Sequence, residues 1–219
     1  MKIVIYTGAG ISRDSGIPLF DEKNSIFTKY SKEILLKNGW RNHWSVFKKF
    51  MDELELSLTS ADIKPNKFHY LISKWQKETN DEFTIITTNI DDLHEQAGNK
   101  NVIHIHGNIK EKRTLDNGKI IPNCVLFGER KNFINECYKI IRESDLLICV
   151  GSSLSTGDVN LLKEAIKNRV KTIEINPSKT LYSDYFDYSL RKKGYEGLSK
   201  IYNYLTKKNN PEEIFSLSI

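Results

Sequence analysis

The sequence predicts an α/β fold in which a mostly parallel sheet is flanked by helices. Short runs rich in β-branched residues alternate with longer segments of helical periodicity, and this alternation is typical of the class. The run Leu146–Val150 is apolar at every position, as expected of a parallel strand that is buried on both faces. With 219 residues, of which 39% are hydrophobic, the chain is long enough for one core with a small insertion.

Six strands and five helices are predicted in chain order. The strands cover residues 2–6, 83–87, 102–105, 124–127, 146–150 and 172–175. The helices cover residues 44–58, 67–75, 132–143, 159–167 and 198–205. Helical signals dominate between residues 21 and 62, so we expect a single domain, residues 1–219, with a small helical insertion there.

The composition indicates an ordinary globular protein with a mildly basic surface. The net charge is +5, but Lys and Arg are interspersed with Asp and Glu, so nucleic-acid binding is not expected. Cys124, Cys137 and Cys149 form neither a CxxC pair nor an obvious disulfide framework. No window of the sequence approaches a membrane span, and the chain opens directly into a strand pattern, which favours a cytoplasmic protein.

Small and polar residues follow the predicted strands at their carboxyl ends, where an open parallel sheet binds its ligands. Gly8 and Gly10 would let the main chain approach a phosphate, with a helix start just beyond them. A tight strand-to-helix turn explains these glycines about as well, since Arg13 stands where GxGxxG has its third glycine. Thr88 to Asp91 follow the second strand, but Thr-x-x-Asp is also a capping box, which taken alone is the favoured interpretation.

For the later segments too, the sequence is consistent either with ligand binding or with a purely local structural role. His104 and His106 share a face of the third strand, and His106 is better placed to reach the crevice. Residues 151–153 (Gly-Ser-Ser) suit phosphate or ribose contacts but also a helix N-cap, and Asn176 suits a ribose contact or a turn. Five such segments at one edge of one sheet indicate a polar crevice the size of a dinucleotide.

Taken in order, these segments resemble the sirtuin family of NAD-dependent protein-lysine deacylases. The resemblance covers about residues 2–205, in the family's order and with roughly its spacing. The matching motifs are Gly8-Ala9-Gly10-Ile11-Ser12, Ser15-Gly16-Ile17-Pro18, Pro65-Asn66 with His69, residues 87–94 (TTNIDDLH), Ala97-Gly98, His106-Gly107, Phe127-Gly128-Glu129, Gly151-Ser152-Ser153-Leu154 and Ile175-Asn176.

The resemblance implies a Rossmann-like NAD-binding sheet and an enzyme that consumes NAD. His106 would be the general base, with Asn89 and Asp91 as further catalytic residues. The peptide would bind as an added strand, and the residues expected to contact it are Phe127, Gly128, Glu129 and Leu154, the last within segment 154–157. The residues expected to bind NAD are Gly8, Ala9, Gly10, Ser12, Ile17, Phe20, Thr88, Asn89, Ile90, Asp91, Gly151, Ser152, Ser153, Asn176 and Tyr195.

In the implied reaction, the acyl-lysine oxygen attacks the anomeric carbon of the nicotinamide ribose as nicotinamide leaves. The acyl group ends on ADP-ribose, so an acyl-lysine peptide or protein is the expected partner of a monomer or weak homo-oligomer. An NAD glycohydrolase or ADP-ribosyltransferase is an alternative on the same fold, with water or a side chain replacing the acyl oxygen. A non-catalytic sensor of NAD or ADP-ribose is a further alternative.

The sequence differs from the sirtuin pattern at three places, and each difference leads to a further expectation. Asp21 stands where the family has an Arg, which replaces a cation near NAD with an anion, and Thr88 replaces a Gln. Between Gly107 and Phe127 only Cys124 remains where the family has four zinc-binding cysteines, so no structural zinc is expected. Residues 108–126 are predicted to be a reduced remnant of that small module, with a hairpin turn at residues 115–119.

Overall fold

Residues 1–20, 22–155 and 158–207 are described by the computed structural model of the protein. Its strands are β1 (Lys2–Thr7), β2 (Glu82–Thr87), β3 (Val102–His104), β4 (Lys112–Thr114), β5 (Ile120–Pro122), β6 (Leu146–Val150), β7 (Lys171–Ile175) and β8 (Tyr188–Leu190). Its α-helices are α1 (Gly39–Asn42), α2 (Trp44–Thr59), α3 (Lys67–Glu78), α4 (Leu93–Gln96), α5 (Ile134–Arg142), α6 (Val159–Lys167) and α7 (Gly194–Thr206). Among the described residues, no helix combines the length and apolarity that crossing a membrane requires.

Six strands form one parallel sheet in the order β3-β2-β1-β6-β7-β8, which confirms the predicted fold class. In the register of the central strands, Ile5 of β1 lies opposite Ile85 of β2 and Ile148 of β6. The chain adds strands in one direction from β1 to β3 and in the other from β6 to β8. A topological switch point therefore lies between the carboxyl ends of β1 and β6.

Alternate residues of β1 face two separate hydrophobic cores. Ile3 and Ile5 pack with buried residues of α3 and α7 on one face of the sheet. Val4 and Tyr6 pack with buried residues of α5 and α6 on the other face. Because helices cover both faces, the central strands are apolar at nearly every position, which is the pattern the sequence shows.

A third core joins the helical segment that follows β1 to the antiparallel hairpin β4–β5. Its buried side chains come from Ile34, Leu35 and Trp40, from α2, and from residues in and around the hairpin. Those of α2 are Phe47, Phe50, Met51, Leu54 and Leu58, and those on the hairpin side are Ile109, Leu115, Ile121, Cys124 and Leu126. The hairpin is thus held to the protein by apolar packing against α2.

The predicted strand at residues 124–127 is wrong. In this stretch only Phe127 pairs as a strand residue, through an isolated bridge to Leu36. Cys124 and Leu126 are buried against the third core rather than in the sheet, so the apolar run reflects packing on a helix. The other five predicted strands and all five predicted helices are present, with ends shifted by at most four residues.

Three strands of three residues each were outside the prediction. These are β4, β5 and β8. The predicted hairpin turn at residues 115–119 is confirmed, since the Leu115 amide donates to the Lys119 carbonyl at 2.8 Å. Gly118, at φ +79°, adopts the left-handed conformation that this turn requires.

Candidate active site

The loops after β1 and β6 pack main chain against main chain at the switch point. The Gly8 amide donates to the Val150 carbonyl at 3.1 Å, and the Gly10 amide donates to the Gly151 carbonyl at 2.9 Å. A Cβ atom on Gly8 would lie 2.7 Å from the Ser152 Cβ, and one on Gly10 would lie 2.9 Å from the Gly151 Cα. Side chains at these positions would therefore force the two loops apart, so the glycines are required by this close approach.

The chain beyond Gly10 differs from the expected helix start. It forms two short 3₁₀ turns, Ala9–Ile11 and Arg13–Ser15. The side-chain amide of Asn66 secures them by donating to the Ile11 carbonyl at 2.7 Å and to the Ser15 hydroxyl at 2.9 Å. Asn66 was quoted among the motifs but not among the predicted site residues, and its place three residues before His69 is a capping-box signal that marks the start of α3.

Ser12, Asn89 and Asp91 form a buried hydrogen-bonded network beside these turns. Asn89 donates from its side-chain amide to the Gly8 carbonyl at 3.2 Å and to the Ser12 hydroxyl at 3.0 Å. Ser12 in turn donates to a carboxylate oxygen of Asp91 at 2.9 Å, and the other oxygen accepts from the Leu93 amide at 3.2 Å. Burial raises the pKa of the Asp91 carboxyl to about 6, although the two donors oppose that effect.

The capping-box interpretation of residues 88–91 is wrong. The hydroxyl of Thr88 donates to the Thr7 carbonyl at 3.3 Å, so it joins the ends of β1 and β2. Helix α4 begins only at Leu93, and its N-cap, Asp92, makes no side-chain capping bond. Residues 88–91 therefore form a loop beside the end of β1 rather than the first turn of a helix.

His104 and His106 do not share a strand face, because β3 ends at His104. His104 is buried, and its ring nitrogens lie 2.8 Å from the Asn89 carbonyl and 2.8 Å from a carboxylate oxygen of Glu95. Burial by itself would lower the pKa of His104, but the hydrogen bond and charge of Glu95 outweigh it and the pKa is raised. His104 thus supports the loop that carries Asn89.

His106 lies in the turn after β3 and is only partly buried. The main chain of Thr88 hydrogen-bonds its imidazole, and the Val125 amide donates to its carbonyl at 2.8 Å. Burial lowers the pKa of His106; the charge of Asp158 acts against this shift and that of Lys131 adds to it. An imidazole with a lowered pKa is neutral at pH 7 and can accept a proton.

Residues of the loops after β6 and β7 meet on the other side of the crevice. Asn176 donates from its side-chain amide to the Ser152 carbonyl at 3.1 Å, and the Ser152 hydroxyl accepts from the Leu154 amide at 3.1 Å. Helix α6 begins at Val159, so neither Ser152 nor the exposed Ser153 is its N-cap, and that alternative is wrong. The Asn176 oxygen also accepts from the Ser178 amide at 3.4 Å, as in a turn.

Tyr195 lies in the first turn of α7, outside the loops that follow β6 and β7. It is exposed, and the ammonium of Lys67 is 6.0 Å from the centre of its ring. Both side chains line a surface cavity of about 500 Å³ together with Asn66, so Tyr195 stands on the flank of the β1 loop.

An aromatic surface borders the crevice on the side of the third core. Phe20 is exposed; its ring stacks on Phe27 with centroids 4.3 Å apart and meets Phe127 edge-on at 5.8 Å. Ile17 and Ile90 are partly buried against the same core. The expected charge effect at Asp21 falls on a residue outside the described part of the chain.

The segment predicted to pair with a peptide already pairs with the protein at Phe127. The Phe127 amide donates to the Leu35 carbonyl at 3.0 Å, and its carbonyl accepts from the Lys37 amide at 2.9 Å. The next residue, Gly128, is exposed and adopts φ +87°. An added strand would therefore have to pair through other main-chain groups of this segment.

Two more of the predicted peptide contacts have structural partners. One carboxylate oxygen of Glu129 accepts from the Leu126 amide and from the Arg113 guanidinium, both at 2.8 Å. The side chain of Leu154 is buried in the core between the sheet and α5 and α6, and its φ of +55° is not that of a strand. The rest of the 154–157 segment includes Thr156 and Gly157, which lie outside the described residues.

A parallel sheet whose order reverses at one point, with glycines and a polar network gathered there, is the architecture of an α/β protein that binds a dinucleotide. Comparison with known proteins identifies the family within this class. The model of the Sir2 family matches residues 8–121, about half of the chain. The chain belongs to the Sir2 family.

Two relatives and two solved structures illustrate the similarity. An NAD-dependent protein deacetylase of Sulfolobus acidocaldarius is 33% identical over 88% of this chain and 86% of its own length. An NAD-dependent protein deacylase of Aquifex aeolicus is 32% identical over 95% of this chain and 97% of its own. A Sir2 homologue in complex with NAD superposes with a TM-score of 0.81 at 27% identity, covering 94% of this chain and 90% of that one.

The second structure is a Sir2 protein with a deacetylated p53 peptide and 3′-O-acetyl ADP-ribose. It superposes with a TM-score of 0.78 at 28% identity and covers 92% of each chain. The relatives and structures thus match nearly the whole chain, so the comparison concerns the complete sheet and the site rather than one motif.

Proposed function

We infer that the protein is an NAD-dependent protein-lysine deacylase, which transfers an acyl group to ADP-ribose and releases nicotinamide. The observation that carries this proposal is the buried Ser12-Asn89-Asp91 network beside the end of β1, together with the partly buried His106, whose imidazole is hydrogen-bonded to the main chain of the neighbouring Thr88. The relatives named above have this activity in their names, and they match the chain over most of its length.

The main chain of the β1 loop fits the pyrophosphate of NAD. Gly8 and Gly10 leave no room for a Cβ atom on the side of the β6 loop, and Gly10 is exposed on its other side. A phosphate can approach the main chain closely at glycines, because no side chain intervenes. The amides of Gly8 and Gly10 themselves are bonded to the β6 loop, so the contact falls to other main-chain groups of these turns. We assign Gly8, Ala9 and Gly10 to the pyrophosphate and ribose, and Ser152, Ser153 and Asn176 to the adenosine side.

Asn89 and Asp91 are proposed to hold the nicotinamide end of NAD. Both amide hydrogens of Asn89 are engaged by the Gly8 carbonyl and the Ser12 hydroxyl, so its side-chain oxygen is the atom left for a ligand. The Asp91 carboxyl, with its pKa of about 6, is ionised above that pH and fixes the Ser12 hydroxyl as a donor. The network is therefore preorganised before a ligand binds.

His106 is proposed as the general base. It is the histidine of the predicted pair whose imidazole is not clamped between Asn89 and Glu95, and its lowered pKa keeps it neutral near pH 7. NAD supplies the ribose carbon to which the acyl oxygen adds, and His106 then accepts a proton from the ribose hydroxyls. Removing such a base costs about 10²–10⁴-fold in rate.

The small module is proposed to need no zinc. Apolar packing of the hairpin against α2 supplies the cohesion that a metal would otherwise provide. The Cys124 thiol is buried 3.9 Å from the Met51 sulfur, and burial raises its pKa to about 11. A protonated thiol is a poor zinc ligand, because zinc binds the thiolate.

We also propose that the protein acts in the cytoplasm as a monomer or weak homo-oligomer on acyl-lysine peptides. The cysteines Cys124, Cys137 and Cys149 are free thiols, which supports a reducing compartment. Cell fractionation and the molar mass in solution, measured by light scattering, test these two points separately from the activity.

The activity is tested by incubating the protein with NAD, with and without an acetyl-lysine peptide, and measuring nicotinamide and acetyl-ADP-ribose by mass spectrometry. We expect both products only with the peptide, and their loss in His106→Ala. The exposed histidine His43 provides the matched control, and His43→Ala should leave turnover unchanged. Nicotinamide release without peptide, with free ADP-ribose, would contradict the proposal and favour an NAD glycohydrolase. No turnover would favour a sensor.

A further inference from the structure

Lys131 and Asp158 form a buried ion pair between two parts of the chain that flank the site. Lys131 follows Glu129 by two residues, and Asp158 immediately precedes α6. Asp158 is 1% exposed and the Lys131 side chain 20%, so both charges are largely withdrawn from water. None of the motifs that predicted the site includes either residue.

The segment that carries Lys131 lies against the turn that carries His106. The Asn132 amide donates to the Ile105 carbonyl at 2.9 Å, and the Val125 amide donates to the His106 carbonyl at 2.8 Å, so the segment that carries Lys131 is tied to the turn that carries His106. Burial lowers the pKa of the imidazole, the charge of Asp158 raises it and the charge of Lys131 lowers it further, while a hydrogen bond to the main chain of Thr88 raises it.

Asp158 also lies close to the buried hydroxyl of Tyr6. The hydroxyl of Tyr6, on the buried strand β1, faces Asp158 and Ser152 but completes no hydrogen bond within the described part of the chain. The Tyr6 hydroxyl is therefore a polar group that faces the buried carboxylate of Asp158. Asp158 and Ser152 are in this way brought together at the buried hydroxyl of Tyr6.

Buried ion pairs contribute little to stability on balance. Removing two charges from water costs several kcal/mol for each ion, and an apolar pair of similar volume would often hold the same elements at least as well. A charge held at low dielectric does, however, act strongly on a nearby titratable group. Compared with such an apolar pair, the distinctive effect of the ion pair is therefore expected at the imidazole.

We propose that Lys131 and Asp158 are a positioning pair of the active site, which holds two opposite charges at fixed places beside His106 and so sets how readily the imidazole takes up a proton. The proposal rests on the deacylase function only in treating His106 as the base. Asp158 favours the protonated imidazole that forms when His106 accepts a proton. Lys131 limits this effect, so that the imidazole remains neutral before the reaction.

The test measures the titration of His106 by NMR in protein with isotopically labelled histidine. The chain has five histidines, and the signal of His106 is assigned by its loss in His106→Ala. We expect Lys131→Met to raise the pKa of His106 and Asp158→Asn to lower it, each by roughly half a pH unit or more. Lys131→Arg keeps the charge and should leave the titration in place.

Arg142→Met is the matched structural control. Arg142 at the end of α5 pairs with Glu164 of α6 at 3.2 Å, so this substitution breaks another ion pair, between the two helices that follow Lys131 and Asp158 in the chain. We expect no change in the titration of His106. If Arg142→Met and Lys131→Met gave equal shifts, the pair would be a structural tether and the proposal would be overturned.

The NMR titration does not depend on turnover. A failure of this proposal can therefore be distinguished from a failure of the proposed deacylase function. Shifts of the same sign in Lys131→Met and Asp158→Asn, or none in either, would overturn the proposal even in a fully active enzyme. If Asp158→Asn does not fold, the sign of the shift in Lys131→Met still decides. In an active enzyme, the acid limb of kcat/KM should move to higher pH in Lys131→Met and to lower pH in Asp158→Asn.

Discussion

At the scale of single residues, the site depends on where a side chain finds its partners. His104 and His106 are two positions apart, yet His104 is held between Asn89 and Glu95 while the imidazole of His106 meets only the main chain of Thr88 among the hydrogen bonds described. The same residue type is therefore a support in one case and a candidate base in the other.

Asp91 gives a prediction for the pH dependence of stability. Its pKa of about 6 in the folded protein exceeds the value of about 3.9 in an unfolded chain, so the folded state binds more protons between these pH values. Stability should therefore fall as the pH rises through this window, by up to about 3 kcal/mol in total. Asp91→Asn lacks the titration, so its free energy of unfolding relative to the unsubstituted protein should increase from pH 4 to pH 7.

Urea denaturation at several pH values measures this difference. Asp92→Asn controls for the loss of one negative charge, since Asp92 is a neighbouring carboxylate that accepts from Gln96 at the surface. A difference between Asp91→Asn and the unsubstituted protein that stayed constant across this pH range would show that Asp91 titrates normally.

At the scale of elements, the loops after β1 and β6 are coupled through their glycines. We expect Gly10→Ala to weaken NAD binding by about tenfold or more, because its Cβ would meet the main chain of Gly151 at 2.9 Å and overpacking costs about 1–3 kcal/mol. Gly118→Ala is the control: it strains a left-handed residue in the hairpin, but nothing lies within 4 Å. Calorimetric titration with NAD measures both, and equal affinities for the two variants would contradict this coupling.

The hairpin β4–β5 offers a prediction about how the small module is stabilised. Ile121→Ala should lower the free energy of unfolding by about 2–4 kcal/mol, since Ile121 is 1% exposed in the third core. Ile120→Ala, at a neighbouring position that is 62% exposed, should change it by less than about 0.5 kcal/mol. Chelator should leave the melting temperature unchanged, and stoichiometric zinc by elemental analysis would refute the zinc-free module.

At the scale of the whole molecule, the proposed ligand bridges both halves of the sheet. Its proposed contacts come from the loops after β1 and β2 on one side of the switch point and after β6 and β7 on the other. ADP-ribose at about 100 times its Kd should add about 2.7 kcal/mol to the free energy of unfolding. For a chain of this size that corresponds to a rise of roughly 5–10 °C in Tm.

A thermal melt with and without ADP-ribose measures the rise. His106→Ala should retain it, because the imidazole is assigned to proton transfer rather than to binding, while Gly10→Ala, with an affinity about tenfold weaker, should lose about half of it. Loss of the rise in His106→Ala would place His106 among the binding residues instead.

The sequence by itself determined the fold class, five strands, five helices and the set of segments that meet at the crevice. Apolar runs and helical periods are local patterns that can be recognised in the sequence. Because ligands bind at the carboxyl ends of parallel strands, these patterns also predict where the site lies. Only the tertiary structure decided that residues 124–127 pack on α2, that Ser12 bonds to Asp91, and that Lys131 pairs with Asp158. These contacts join residues far apart in the chain, so they depend on strand order and helix packing, which leave no periodic trace in the sequence.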